Sequence, residues 1–469
     1  MSSSMIRKPY LQLMALVVPC YNEAMEMIHN TRKKTVSFIT LGCKVNQYDS
    51  DAMRSLFIRR GYETAEGEGE ADVYVINTCS VTSVGDKKSR QTVRRIRRNH
   101  PDAVIAVAGC YAQLEPDVFE KMGGANVIIG LQNRTQIVDY VEEAKAGQVL
   151  NKVKDIREVR EFENMAVDAE GETRTRAFIK VQEGCDNYCT FCIIPYARGR
   201  LKSRKLVDAV AEIRRLVKAG YREVVLTGIH LGNYGKDLRD GTSLASLVEA
   251  LLEIPGLLRI RLGSVESVEL SGELVRIIRD EPRVCSHLHL PIQSGSDSVL
   301  KRMNRHYRLA EYKRLIKDLR EAIPGLALTT DLIVGFPGET EAEFQETLDT
   351  LKELSFSGIH VFPYSRREGT PAARYPNQLT AAEKKDRVRR VMELEKEISQ
   401  VYRETFEAKE VRVIAEEIKD GAYEGLSDEY IRVRLSGEGI RRGHMYRARV
   451  TGLAEEGLAA AVIKEERYE

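Results

Sequence analysis

Between Arg176 and Phe362 the chain alternates six short β-rich runs with amphipathic helical stretches, and that alternation leaves few architectures open. The runs are Arg176-Ala-Phe-Ile-Lys-Val181, Glu223-Val-Val-Leu-Thr227, Leu258 to Ser264, His287-Leu-His-Leu290, Leu328 to Val334 and Ile359-His-Val-Phe362. Strands separated by helices of the Leu206–Leu216 kind pair in parallel, because each helix carries the chain back across one face of the sheet. Six βα units fit a parallel barrel, and it is expected to be open because eight units are not available. A charged helix, Ala381 to about Glu404, ends this domain, placed at 174–404.

The same logic applies before it. Val36 to Leu41, Ala71 to Ile76, Ala103 to Ala108 and Asn126 to Ile129 are apolar runs with helical stretches between them. They predict a parallel α/β sheet over 35–147, and the charged residues 148–173 read as a linker. The tail, 405–469, changes character. Val411–Ala415, Tyr430–Leu435, Met445–Val450 and Gly457–Ile463 alternate apolar and polar residues between Gly-rich turns, which predicts a small β-barrel of the oligonucleotide-binding kind. Residues 1–34 carry a short apolar run, Leu11–Val18, and Lys and Arg come too late for a signal peptide. They are set aside as an extension of doubtful significance, with Met27 an alternative start and Cys20 an inert thiol.

Lys plus Arg number 72 against 70 for Asp plus Glu, so overall charge points to no polyanion, and any nucleic-acid contact must rest on local charge. No apolar run approaches the roughly 20 residues that span a bilayer. Eight cysteines in a long, highly charged chain do not suit a secreted disulfide scaffold; clustered, they favour metal or redox chemistry in a reducing, cytoplasmic setting.

Three of those cysteines lie within eight residues. Cys185, Cys189 and Cys192 have the spacing C-x₃-C-x₂-C just after the first barrel strand. Structural zinc wants four ligands in a closed tetrahedron, and no Cys or His nearby in sequence supplies the fourth, although a distant one can. A cubane cluster has four irons, so three thiolates leave one iron open to chelate a small molecule. Cys43, Cys79 and Cys110 are scattered in sequence, yet each follows an apolar run of the first domain. Loops at the C-terminal ends of one parallel sheet face one crevice, so these sulfurs are expected to converge on a second, three-coordinate cluster. The plainer alternative is three buried structural thiols.

The loop Cys185–Cys192, with Phe191 before its last cysteine, resembles the radical S-adenosylmethionine signature. Leu41-Gly-Cys-Lys-Val-Asn-Gln-Tyr-Asp-Ser50, Asn77-Thr-Cys79, Ala108-Gly-Cys-Tyr-Ala112 and His289-Leu-Pro-Ile-Gln-Ser-Gly-Ser296 extend that resemblance to the methylthiotransferases over residues 35 to 467. The resemblance implies two 4Fe-4S clusters, S-adenosylmethionine as both radical source and methyl donor, and a TRAM-type β-barrel tail. It also implies that Phe191 packs near the cofactor's adenine and that Thr227-Gly228 meets its amino group, unless the latter is an ordinary strand-end turn. Glu266 accepts ribose hydroxyls or is a surface carboxylate. Gln293 and Ser294 point into the cavity, and Val334-Gly335 lines the adenine pocket with backbone groups. His287 and His289 read as packed inside the barrel, and Cys285 as a core thiol.

The resemblance further implies tRNA as substrate, an electron donor such as flavodoxin or ferredoxin, and a sulfur source. "LGCKVNQYDS" is similar to the branch acting on N6-threonylcarbamoyladenosine at tRNA position 37; isopentenyladenosine in tRNA and a ribosomal-protein aspartate are the family's other substrates. Two basic features suit RNA phosphates. Lys87 to Arg98 carries seven positive charges and no acid, including Lys87, Lys88, Arg94 and Arg95. Arg432 with Arg434, and Arg447 with Arg449, each fall on one strand face, with Tyr430 and Tyr446 as candidate stacking rings. A reading of another class is a zinc-stabilised RNA-binding protein without catalysis.

Overall fold

The computed structural model describes residues 32–145, 147–168 and 175–466, so Leu11–Val18, Cys20 and Met27 lie outside the described residues. The first domain is a parallel sheet of β1 (Thr35–Thr40), β2 (Glu63–Ala65), β3 (Val73–Thr78), β4 (Val104–Gly109), β5 (Val127–Ile128) and β6 (Leu150–Asn151). Their order is β2-β1-β3-β4-β5-β6. β3 is buried along its whole length, as expected of a strand covered by helices on both faces. The Lys44–Arg59 helix supplies one cover with Val45, Tyr48, Ala52, Met53 and Phe57.

Residues 148–173 do more than link. Leu150–Asn151 pairs with Val127–Ile128, and Ile156, Met165 and Val167 are buried. Three apolar side chains among many charges are too widely spaced to show a periodicity, so the sequence gives no sign that they dock.

The second domain opens with β7 (Arg176–Lys180) and a short hairpin of β8 (Gln182–Glu183) and β9 (Lys202–Ser203), whose connection contains the three clustered cysteines. Then follow β10 (Glu223–Thr227), β11 (Arg259–Leu262), β12 (His287–His289), β13 (Ala327–Val334) and β14 (Gly358–Pro363). They form two parallel three-stranded sheets, β11-β10-β7 and β12-β13-β14. The bridges Ile260↔Val284 and Ser264↔His289 join them into one six-stranded arc. Among the described residues no pairing closes β7 onto β14, as the count of βα units required. Leu226, Leu288, Leu332 and Val334 pack outward against the helices, which leaves Thr329, Asp331 and Ile333 facing the barrel interior by strand alternation.

The tail is a six-stranded sheet of β15 (Glu410–Ile414), β16 (Glu417–Lys419), β17 (Ala422–Leu426), β18 (Arg432–Ser436), β19 (Met445–Ala454) and β20 (Gly457–Glu466). Its order is β15-β19-β20-β18-β17-β16, and the bridge Val413↔Ser427 curls it into a half-barrel. Its Leu426–Tyr430 turn is anchored on the central barrel. Arg259 and Arg261, both buried, donate to the carbonyls of Leu426, Ser427 and Asp428 at 2.8–3.1 Å, and both pair with buried Glu223.

A second buried ionic network docks the first domain on the barrel. Asp49 of the first domain forms an ion pair with Arg134 at 2.7 Å and lies 3.6 Å from Arg198; Lys180 also pairs with it. Glu183 pairs with Arg198 at 2.5 Å, Lys180 at 3.2 Å and Arg134 at 3.3 Å. All five side chains are at most 1 % exposed. Removing one member of such a set strands its partners' charge in the interior, which costs about 3–5 kcal/mol. Asp49→Asn is therefore expected to lower the unfolding free energy by about that much, read by urea denaturation.

The carboxylates also set an acid limit. Burial alone would raise Glu183 and Glu223, but Lys180, Arg134 and Arg198 hold Glu183 well below the usual range, and Arg259 and Arg261 bring Glu223 to about 2. A carboxylate whose folded pKa is depressed stabilises fully above its unfolded value, about 4.3, and loses that contribution as pH falls toward the folded value. The denaturation midpoint should stay level from pH 7 to about pH 5 and fall steadily below it; a flat profile down to pH 3 would show that these pairs contribute nothing net.

Candidate active site

Cys43, Cys79 and Cys110 each sit at the C-terminal end of a strand in the first sheet. Cys43 is the N-cap residue of the Lys44–Arg59 helix, Cys79 follows β3, and Cys110 opens the Cys110–Leu114 helix directly after β4. Asn46, in the first turn after Cys43, holds the loops together. Its amide donates to the carbonyls of Leu41 at 2.8 Å and Thr78 at 3.0 Å, and its oxygen accepts from Arg198 at 2.5 Å. Asn77 donates to the Asn46 carbonyl at 2.8 Å, and the Thr78 hydroxyl donates to the Ala108 carbonyl at 2.6 Å. Gly109 has φ +96, and a Cβ there would lie 2.3 Å from the Asn77 oxygen, so only glycine lets β4 deliver Cys110 beside Cys79.

Burial pushes the Cys79 thiol up and carries Cys110 to about 12; Cys43 adds to both shifts, so the three sulfurs sense one another. Arg198 acts in the opposite direction on both. It is the cation that lies against this triad.

The second triad is built by the β8–β9 connection. Gly184, at φ +76, has the Arg200 carbonyl 1.8 Å from where a Cβ would stand, and Cys185 N–H donates to the Gly199 carbonyl at 3.1 Å. Thr190 fixes the middle of the loop, its N–H on the Met303 carbonyl at 3.0 Å and its hydroxyl on the Arg302 carbonyl at 2.9 Å. Arg305 donates to Cys189 Sγ at 3.4 Å and pairs with Glu266. Burial raises Cys189 and carries Cys192 to about 12, and Cys185 adds to both. His230, on the loop after β10, places Nδ1 3.5 Å from Cys185 Sγ and Nε2 on Glu269. Nothing in the local sequence marked His230 or Arg305, because both reach the cysteines only when the six strands curl into one arc.

Cys43 and Cys79 of the first triad and Cys192 of the second line one cavity of about 590 Å³. The first domain contributes Cys43, Cys79 and Val81; the barrel contributes Phe191, Cys192 and Gln293. Asp331, Ile333 and Phe362 complete the wall from β13 and β14. Among the described residues no group of three or more Cys, His, Asp or Glu is set to hold a single metal ion. A tetrahedral ion needs its ligands gathered on one point. A cubane takes each thiolate on a different iron, and two all-sulfur triads, each with an arginine beside it, suit such a cluster's ligand chemistry; Cys79, Cys110 and Cys189 are buried, Cys185 and Cys192 half-buried and Cys43 exposed.

The other expected residues divide. Gln293, at φ +63, faces the cavity. Thr227, Ser294 and Val334 are buried and, with Gly228 and Gly335, stand outside that lining. Gly228 and Gly335 each lie close against a side chain, Gln182 and Lys384 respectively. Glu266 is held by Arg305. His287 and His289 are bonded within the barrel to Thr329 Oγ1, each at 2.9 Å, and Cys285 is buried.

The two basic features also divide. On the Ser83–Asn99 helix, Lys87, Lys88 and Arg94 are exposed and form no ion pair among the described residues; Arg95 pairs with Glu68. The helix starts at the cavity rim, because its cap Thr82 lines the cavity. The tail arginines are not a bare cationic patch. Arg432 pairs with Glu424 at 3.1 Å, Arg447 with Glu466 at 2.9 Å and Arg449 with Glu410 at 2.8 Å, while Arg434 donates to the Asp420 carbonyl at 2.9 Å. Strand pairing sets Glu410 opposite Arg449 and Glu424 opposite Arg434, which reading each strand alone cannot see. Tyr430 stacks on His287 at 4.8 Å and Tyr446 is a core residue, so neither presents a free stacking face.

Asn46→Ala would leave the Leu41 and Thr78 carbonyls without this donor, at about 1–3 kcal/mol. The expected result is a folded protein whose first triad retains less iron, measured in a background where Cys185, Cys189 and Cys192 are alanine.

Residues 35–130 match the family model described as Uncharacterized protein family UPF0004, and residues 179–351 match the Radical SAM superfamily. A Bacillus subtilis protein named "Threonylcarbamoyladenosine tRNA methylthiotransferase MtaB" is 42% identical over 441 residues, covering 92% of this chain and 98% of the relative. A Thermotoga maritima protein of the same name is 39% identical over 91% of this chain and 96% of the relative. A Moorella thermoacetica "tRNA-2-methylthio-N(6)-dimethylallyladenosine synthase" is 40% identical over 82% and 87%. Among solved structures, the radical S-adenosylmethionine methyltransferase TsrM from Kitasatospora setae, with cobalamin and a [4Fe-4S] cluster bound, superposes with TM-score 0.52 at 15% identity over 73% of this chain and 77% of that chain; this likeness is one of fold. The two triads, the six-stranded barrel and identity across nine-tenths of the sequence agree: the chain belongs to the radical S-adenosylmethionine methylthiotransferases, in their MtaB-type branch, enzymes whose cofactors are S-adenosylmethionine and iron–sulfur clusters.

Proposed function

We propose that this protein methylthiolates N6-threonylcarbamoyladenosine at position 37 of tRNA, beside the anticodon, to the 2-methylthio derivative. The observation that carries this reading is the shared cavity, in which Cys43 and Cys79 of one domain face Cys192 of the other. The names of the B. subtilis and T. maritima relatives support the substrate, as does the Leu41–Ser50 motif.

In this reading Cys185, Cys189 and Cys192 would hold the cluster that binds S-adenosylmethionine, and Cys43, Cys79 and Cys110 would hold a second one. Bound there, the two groups supply radical activation of a C–H bond and the methylated sulfur, chemistry beyond any side-chain acid or base. The chain's own residues do the rest. Arg305 and Arg198 set a fixed positive charge beside each triad. Asn46 holds the cysteine loops in register, and Ile193, Ile194 and Ile333 line the cavity with apolar surface that excludes water. Of the residues expected to meet the cofactor, Phe191 and Gln293 line the cavity, and they are the ones assigned to it here.

The reacting base must leave its stack to reach such a cavity, so the RNA backbone has to be gripped near the rim. The exposed Lys87, Lys88 and Arg94 of the Ser83–Asn99 helix suit this better than the tail arginines, whose charge is already matched. An electron donor such as flavodoxin or ferredoxin and a sulfur source complete the reaction, which is placed in the cytoplasm. No described helix is long and apolar enough to cross a membrane.

Deleting the gene should replace 2-methylthio-N6-threonylcarbamoyladenosine in tRNA digests with its unthiolated precursor. Loss of the dimethylallyl derivative instead would assign the sister substrate. Cys189→Ala should abolish 5′-deoxyadenosine formation. Cys79→Ala should retain it while losing thiolation of tRNA; equal thiolation by Cys79→Ala would make the first triad structural. Neutralising Lys87, Lys88 and Arg94 together should flatten the dependence of log affinity on log salt by about one unit for each phosphate no longer neutralised, without changing which adenosine is modified.

A further inference from the structure

Among the described residues Phe362 is the aromatic side chain of the cavity wall left most exposed. It is 47 % exposed, although it lies at the end of a barrel strand. Phe191, by contrast, packs into a group with Phe336 and Tyr364, and Phe362 takes no part in that group. Opposite, Val81 of the first domain is 49 % exposed and lines the same cavity. A phenylalanine left half bare inside a cavity, rather than scattered on the outer surface, marks a place where a flat apolar group is received.

A polar acceptor stands beside it. Asp331 lines the cavity from the neighbouring strand, where Asp331 pairs with His360 and Ile333 with Phe362. Two residues along one strand and one strand across put the Cα atoms of Asp331 and Phe362 roughly 8 Å apart. Asp331 Oδ2 is held by His289 Nε2 at 3.3 Å. Behind it, His289 Nδ1 and His287 Nε2 both meet Thr329 Oγ1. A hydroxyl has one proton to give, so it donates to one imidazole and accepts from the other. This pairing orients the His289 ring with Nε2 toward Asp331, 3.3 Å from Oδ2. Among the described residues nothing donates to Asp331 Oδ1, and the side chain is 33 % exposed.

We infer that Phe362 and Asp331 form the wall that receives the reacting nucleobase: the Phe362 ring stacks on its face, and Asp331 Oδ1 accepts from its exocyclic N–H. This inference rests on the tRNA adenosine reading above and adds the residues that hold the base. Both are positioning residues here, placing the base without reacting with it.

The test is a binding cycle with the full-length protein. Two anticodon stem-loop RNAs are compared by fluorescence anisotropy, one carrying threonylcarbamoyladenosine at position 37 and one an abasic nucleotide there. Stacking on an aromatic corresponds to about tenfold in affinity or more, so the parent protein should bind the first RNA about tenfold tighter. Phe362→Ala should shrink that ratio to about twofold, Phe362→Trp should restore it, and Asp331→Asn should also reduce it. Affinity for the abasic RNA should be the same in all four proteins, as should affinity for S-adenosylmethionine. A ratio unchanged in Phe362→Ala overturns the inference while leaving the substrate reading intact. So does a loss of S-adenosylmethionine affinity, which would assign the ring to the cofactor. Failure of the substrate reading is seen separately, as unaltered tRNA nucleosides in a deletion strain.

Discussion

The ionic network of Asp49, Arg134, Lys180, Glu183 and Arg198 is the contact on which the site depends. It takes one carboxylate from the helix that follows Cys43 and the other from β8, the hairpin strand that leads into the Cys185 loop. Arg198 binds both and also reaches Asn46, the side chain that ties the Cys43 and Cys79 loops together. One guanidinium therefore links the two triads through fixed bonds. Ion pairs so deeply buried add little net stability relative to apolar packing, but they are costly to break. Such an interface has one satisfied arrangement, and it fixes the Cys43 and Cys79 loops relative to the Cys185 loop.

The tail is attached by the same device. Arg259 and Arg261 reach from β11 to the Leu426–Tyr430 turn, and Tyr430 stacks on His287 inside the barrel, with Lys44 Nζ 3.4 Å from its hydroxyl. Lys44 adjoins Cys43. All three domains thus meet around the barrel interior. The half-barrel is fitted to the central barrel by these contacts.

Much of this was legible in the sequence because it is local. Strands such as Glu223–Thr227 and the Ala381–Glu404 helix declare themselves by β-rich runs and helical periodicity. The cysteine triads were readable because each Cys follows an apolar run, and parallel sheets put such positions at one edge. The rest depends on partners far apart in the chain. Ile156, Met165 and Val167 hide in a charged stretch that reads as a linker. The tail arginines look like a phosphate grip until strand pairing brings Glu410 and Glu424 opposite them. His230, Arg305 and Phe362 gain their surroundings only when the barrel curls.

The proposed function requires two clusters, one on each triad, across a single cavity in one chain. Electron paramagnetic resonance of the anaerobically reconstituted, reduced protein measures this directly, because two paramagnetic clusters that close broaden and split each other's signals. The account predicts a resolved magnetic interaction that disappears in Cys79→Ala, leaving the simple spectrum of the Cys185–Cys192 cluster. Two independent signals without interaction, or a single signal unchanged by Cys79→Ala, would contradict it.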